Sequence, residues 1–190
     1  MTTPRIGAIV LAAGASRRYG RENKLLAIVD GSALVTHPLD AVLAAGAEPV
    51  VVVTGHDGER VAAAITGRAV ERIHNDLHEE GMGRSLAAGA EHWLGHQPPV
   101  DGVLVVLGDL PRLRAHHVCA LIDAFAGTVV RAPICVPVFE GRRGHPVLFH
   151  TDHLPTLARL TGDRGARSVL ASHPEFIRRF EAEAHLVARL

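Results

Sequence analysis

Aromatic residues make up only 4% of the 190 positions, which disfavours a stacking platform for single-stranded nucleic acid, because such a surface needs exposed rings along a groove. Cysteine is scarce too. Cys119 and Cys135 form neither a CxxC pair nor a disulfide framework, and both are expected as buried thiols, one in a helix and one in a strand. Net charge is missing: 20 basic side chains balance 20 acidic ones, so no global field favours a nucleic-acid or membrane partner and any anion site must be built locally. No apolar run reaches the ~18 residues of a membrane-spanning helix, and the N-terminus lacks the basic, apolar, small-residue order of a secretory signal. A cytoplasmic protein is the expectation. With no repeat, low-complexity tract or linker, and with 47% hydrophobic residues, one domain over 1–190 is expected to close one substantial core.

What the sequence does contain is an alternation of buried-strand and crossover-helix patterns. The runs 6–12, 50–53 and 103–107 are short, β-branched and apolar on both faces, as central parallel strands between helix layers are. Helical spacing or helix start and stop signals fall at 38–45, 57–65, 84–94 and 115–125. The sequence therefore predicts a doubly wound, mostly parallel open α/β sheet of the Rossmann-like kind, whose ligands bind beyond the carboxyl ends of the strands. After Gly127 the pattern changes. Strand-like runs at 134–139 and 146–149 flank Glu140-Gly141-Arg142-Arg143-Gly144, which predicts a small antiparallel insertion with a basic tip. A helix is expected over 161–172 and a last strand near 176–180.

The first strand runs into Leu11-Ala12-Ala13-Gly14-Ala15-Ser16-Arg17-Arg18-Tyr19-Gly20-Arg21-Glu22-Asn23-Lys24, small residues with four cations inside eight positions. Such a loop suits a polyphosphate: Gly14 and Gly20 permit positive φ and close approach, amides and Ser16 can donate to phosphate oxygens, and Arg18 and Lys24 can offset their charge. It is neither a dinucleotide fingerprint nor a P-loop, because five residues separate the glycines and Arg21 follows the second. Asp109 stands at the end of a wholly apolar strand, where it either meets a cation, most simply Mg²⁺ shared with a phosphate, or caps the turn before Pro111. Gly81-Met82-Gly83 precedes the helix expected from Arg84, and either offers bare amides to the same cleft or simply caps that helix. The His92/His96 and His150/His153 spacings could serve a metal, but no third ligand stands near either in sequence.

The signature loop, with Thr54-Gly55-His56, Glu80-Gly81-Met82-Gly83-Arg84-Ser85-Leu86, Leu107-Gly108-Asp109-Leu110-Pro111, Gly144-His145-Pro146-Val147-Leu148-Phe149 and Gly162-Asp163-Arg164-Gly165-Ala166-Arg167, resembles the molybdenum cofactor cytidylyltransferase family in order along nearly the whole chain. That resemblance implies Mg²⁺-dependent transfer of CMP from CTP to the terminal phosphate of molybdopterin or a related phosphorylated pterin, with release of pyrophosphate. It implies Arg18, Lys24 and Asp109 as catalytic residues, with Asp109 also the metal ligand. Leu11, Ala12, Ala13, Gly14, Ser16, Thr54, Gly81, Met82, Gly83 and Ser85 would join Arg18 and Lys24 in binding the nucleotide. On the acceptor side it implies Arg142, Arg143, His145, Asp163 and Arg167, although the basic tip can equally be a solvated turn and Asp163 a helix cap. A molybdoenzyme of the xanthine dehydrogenase type, or its chaperone, is the implied macromolecular partner.

One feature of the family is not found in the 190 residues. An Asp-x-Asp-Thr-Pro-like segment usually follows the last core strand and gives the metal a second carboxylate; here the candidates are Asp163, His145, Glu181 and Glu183. Two further readings therefore stand beside the first: activation of a sugar phosphate or other alcohol phosphate, and a maturation protein that binds nucleotide or cofactor without turnover.

Overall fold

The structure, a computed structural model, describes residues 3–16, 22–95, 99–183 and 186. Its centre is β1 (Ile6–Ala12), every residue of which is buried. The chain rises through β1, crosses by α1 (Thr36–Ala44) to β4 (Val50–Thr54), and by α2 (Gly58–Ala64) to β5 (Glu71–His74). A small separate hairpin of β2 (Ile28–Val29) and β3 (Ser32–Ala33) stands between β1 and α1. From β5 the chain returns by α3 (Met82–Leu94) to the other side of β1, where β6 (Gly102–Leu107) pairs parallel with it. In the sheet β6 thus lies on one side of β1, and β4 followed by β5 on the other. The winding reverses between β1 and β6, and the carboxyl end of that strand pair is where an open α/β sheet leaves a crevice for ligands.

The rest of the sheet is built after α4 (Ala115–Ala126) by β7 (Ile134–Phe139), the short β8 (Arg142–Arg143), β9 (Val147–His150) and β10 (Ile177–Glu181), with α5 (Leu154–Leu157) and α6 (Arg167–Ser172) between the last two. β9 lies between β6 and β7 and is antiparallel to both, and β10 is parallel to β7. Thus β7 and β10 point the same way as β1, and the β7–β8 turn stands at the same end of the sheet as the crevice.

Packing explains several small residues. A Cβ on Gly7 would overlap the ring of Trp93, and one on Gly89 would press on Ile9, so two glycines let α3 lie directly on β1. α1 packs against α4, and α3 against α5. Among the described residues no helix is long and apolar enough to cross a membrane.

The mixed, mostly parallel single-domain α/β sheet is as expected, with differences that have local causes. The helix expected over 161–172 is only Arg167–Ser172, because Gly162 and Gly165 take positive φ and turn the chain in front of it. α3 begins at Met82 rather than Arg84. Cys119 is exposed on α4 and not buried, whereas Cys135 is buried in β7. β5 had no apolar alternation to reveal it, since Glu71, Arg72 and His74 are exposed on an edge strand.

Candidate active site

At the carboxyl end of the β1–β6 pair, the Gly108 N–H donates to the Leu11 carbonyl at 2.9 Å, carrying the ladder one step past β6. A Cβ at Gly108 would lie 2.9 Å from that same oxygen, so glycine here lets the two loops close up. The next residue, Asp109, meets Lys24: Nζ to Oδ2 is 3.5 Å across the crevice, with the side chains 19% and 34% exposed respectively. The only lysine in the sequence is thus paired with the carboxylate that ends the apolar strand. Both groups keep a face to solvent, where an anion and a divalent cation could enter between them.

The loop that carries Lys24 is closed at a neck. Ser16 holds φ of 50°, and its hydroxyl donates to Asn23 Oδ1 at 3.4 Å. Asn23 also caps the single 3-10 turn Lys24–Leu26, accepting from the Leu25 N–H at 3.0 Å. Its amide nitrogen donates to the carbonyl of His56, just past β4. In the upstream limb Ala12 and Ala13 are buried, Gly14 is exposed, and a Cβ on Gly14 would meet nothing within 4 Å. The left-handed residue of this limb is Ser16, whereas Gly14 is not among the positive-φ glycines. Arg18, with Arg17, Tyr19, Gly20 and Arg21, lies outside the described residues.

Three residues assigned to the nucleotide have their polar atoms engaged by the protein. The Thr54 hydroxyl donates to the Ile73 carbonyl at 3.2 Å, tying β4 to β5. Ser85 accepts from Asn75 Nδ2 at 3.1 Å, and Asn75 Oδ1 accepts from the Leu77 N–H, so this pair shapes the loop ahead of α3. The Gly83 amide is not bare: it donates to the Gly162 carbonyl at 2.7 Å. Gly81 and Gly83 are small because the 161–165 turn seats on them. A Cβ on Gly83 would meet the carbonyls of Thr161 and Gly162 at 2.7 Å, and Met82 packs on Gly165.

That docking also involves Asp163, which lies against Gly81 at the start of α3, and Arg167 is the first residue of α6. Arg142 and Arg143 are exposed on β8, in register with Phe139 and Val138 of β7. His145 is partly buried below them, its N–H donating to the Leu186 carbonyl. The residues expected to form one acceptor face thus come from β8, the segment ahead of β9, the turn before α6 and α6 itself.

Of the candidates for a second metal ligand, Glu181 ends β10 opposite Val138, and Glu183 lies 3.1 Å from His117 Nε2. Among the described residues, His116, His117 and Glu183 form the one trio whose donor atoms converge as metal ligands do. Hydrogen bonding argues against an ion there. His117 Nδ1 accepts from the Arg114 N–H at 3.0 Å at the start of α4, which puts the ring proton on Nε2, facing Glu183. The trio reads as a helix cap tied to the chain after β10. His96 lies outside the described residues. His150 Nδ1 accepts from the Asp152 N–H and His153 Nε2 bonds the Ala132 carbonyl, so that pair is engaged as well.

The crevice geometry can now be set beside known proteins. Residues 8–176 match the model of the MobA-like NTP transferase domain. The chain belongs to this family. It is 31% identical over 182 residues to the nicotine blue oxidoreductase of Paenarthrobacter nicotinovorans, covering 90% of this chain and 84% of that one. To the purine catabolism protein PucB of Bacillus subtilis it is 29% identical over 180 residues, covering 90% and 83%. Among solved structures, Rv0371c of Mycobacterium tuberculosis in complex with manganese superposes with a TM-score of 0.73 at 25% identity, covering 94% of this chain and 88% of that one. Membership makes the chain a nucleotidyltransferase-like protein.

Asn23, Gly108 and His56 fall inside motifs quoted from the sequence, but the sequence assigned them no role of their own. An Asn directly before a helical turn is an N-cap signal that could have found the first. The close approach that requires Gly108 is visible only once β1 and β6 are paired.

Proposed function

We propose that this protein transfers CMP from CTP to the terminal phosphate of molybdopterin or a related phosphorylated pterin, releasing pyrophosphate. The observation that carries the reading is the Lys24–Asp109 pair across the switch-point crevice. Lys24 is placed to take charge from the β- and γ-phosphates as pyrophosphate leaves, and the chain's work is to hold acceptor and triphosphate in line. No covalent intermediate on the protein is required.

Asp109 is the residue that would hold Mg²⁺. One part-exposed carboxylate beside an anion-binding loop is a donor set this ion accepts, the remainder coming from phosphate and water. When bound, the ion supplies further neutralisation at the α-phosphate. A relative solved with manganese supports a divalent ion in this fold. Arg142 and Arg143, exposed at the same end of the sheet, are the proposed clamp on the acceptor phosphate, since a guanidinium pair can grip it bidentately. A relative named for purine catabolism supports a client molybdoenzyme of the xanthine dehydrogenase type, and cytoplasmic residence belongs to the same reading.

A second reading has its own observation. The relative from Paenarthrobacter nicotinovorans is named an oxidoreductase, and among the described residues Asp109 belongs to no group of three converging metal-binding side chains. In that reading the crevice holds a nucleotide cofactor and does not cleave it. Incubation with each of the four nucleoside triphosphates, Mg²⁺ and either molybdopterin or a panel of sugar phosphates, scored for pyrophosphate, separates the two. The first reading expects pyrophosphate from CTP with the pterin; nucleotide binding with no pyrophosphate from any combination would replace it with the second.

A further inference from the structure

We propose that Asn23 is the positioning residue of the site: it fixes the two ends of the polyphosphate loop to one another and to the turn after β4, and so sets Ser16 and Lys24 before a triphosphate arrives. The proposal rests on reading the crevice as a triphosphate site. Asn23 is only 2% exposed, an uncommon state for a polar side chain unless its hydrogen bonds are made.

Its bonding also fixes which way the amide points. The Leu25 N–H can only donate, so the atom 3.0 Å from it is Oδ1; the His56 carbonyl can only accept, so the atom 3.4 Å from it is Nδ2. The same Oδ1 accepts from Ser16. The His56 N–H in turn donates to the Ala13 carbonyl at 3.2 Å. A closed circuit results, running Ala13, His56, Asn23, Ser16 and back along the chain to Ala13. Lys24 is the first residue beyond this neck.

The circuit joins Ser16 to the residue directly before Lys24, and Lys24 itself reaches on to Asp109 across the crevice. Ser16 keeps its left-handed φ with Asn23 as its side-chain partner. Without the circuit, bringing Ser16 and Lys24 into position would weaken each binding event, and only for ligands whose phosphates reach those two side chains. Asn23 is therefore assigned no contact with the ligand. It acts through its neighbours.

Serine separates this role from plain capping. It is a good N-cap and can still accept from the Leu25 N–H, but it is too short to bridge Ser16 and His56. Calorimetric titration of wild type, Asn23→Ser, Asn23→Ala and Lys24→Ala with CTP and with CMP, in Mg²⁺, together with the melting temperature of each, tests the proposal. Asn23→Ser is expected to melt close to wild type and to bind CTP roughly tenfold or more weakly, the size of one lost orienting interaction, while CMP affinity changes far less. Wild-type CTP affinity in Asn23→Ser would overturn the positioning role, and so would a parallel loss for CTP and CMP, which is the mark of general damage. Failure of the underlying reading looks different: wild type would then bind no CTP, and Lys24→Ala would make no difference.

Discussion

Lys24 Nζ and Asp109 Oδ2 stand 3.5 Å apart although 85 residues separate them in sequence, and they meet where the sheet reverses its winding. The pair is part-exposed, so its direct contribution to stability is small, and its value lies in bringing one cation and one anion to the mouth of the crevice. Replacing Lys24 by Ala should lower turnover by about 10²–10³-fold, in the range for loss of one preorganised charge, while the melting temperature moves little. Lys24→Arg should also be impaired, because a planar fork beside Asp109 cannot reproduce a compact ammonium. Steady-state pyrophosphate release by the three proteins is the check, and unchanged turnover in Lys24→Ala removes Lys24 from the mechanism.

The seating of the 161–165 turn on α3 should be intolerant of one methyl group. In Gly83→Ala the new Cβ would face two backbone carbonyls at 2.7 Å, neither of which can swing aside as a side chain could. A loss of ~1–3 kcal/mol is expected, as for other overpacked positions. The freed turn should then be cut faster by trypsin at Arg164. Wild-type melting and cleavage rates would show that the turn is not seated there.

Acid sensitivity should arise from His153. Burial holds this imidazole below its ordinary range, with His173 and His150 pushing the same way, while the Ala132 carbonyl and Asp152 pull back. Because the folded-state value is the lower one, the unfolded chain takes up the proton first as pH falls. The contribution of His153 to stability is whole above the ordinary imidazole value of about 6.5 and is lost as pH drops through it toward the folded value. His153→Phe should give a shallower fall in melting temperature between pH 7 and pH 5 than wild type; an equal slope would assign the acid limb to other groups.

The two thiols should differ sharply. Burial pushes Cys135 up to about 11, only partly offset by Arg178, whereas Cys119 is exposed. A thiol reagent at pH 8 should modify one cysteine in the native protein, identified by peptide mapping as Cys119, and both after unfolding. Rapid modification of Cys135 in the folded protein would contradict its place in the core.

How far the sequence reached follows from what each residue's role depends on. β1, β4 and β6 were legible because both their faces are buried, so they carry unbroken apolar runs, and the loop after β1 because small and basic residues crowd directly behind such a run. Asp109 stood out as a carboxylate ending an apolar strand. By contrast, Thr54, Ser85 and Gly83 belong to motifs that stood out in the sequence, yet their hydrogen bonds go to Ile73, Asn75 and Gly162, partners fixed by pairing across the sheet and by a distant turn. Asp163 shows the same limit: its motif does not say which element the turn will meet. β5 was missed because an edge strand carries no burial signal, and Cys119 was expected buried although its helix position faces solvent.

The claim on which the rest depends is that a triphosphate and a divalent cation meet in the crevice between Lys24 and Asp109. Manganese binding followed by electron paramagnetic resonance, with and without CTP, in wild type and in Asp109→Asn, measures this directly. The expected result is that CTP tightens manganese binding in wild type and that Asp109→Asn loses most of this ternary complex while remaining folded. Equal manganese binding in the two proteins with CTP present would place the cation elsewhere and contradict the account.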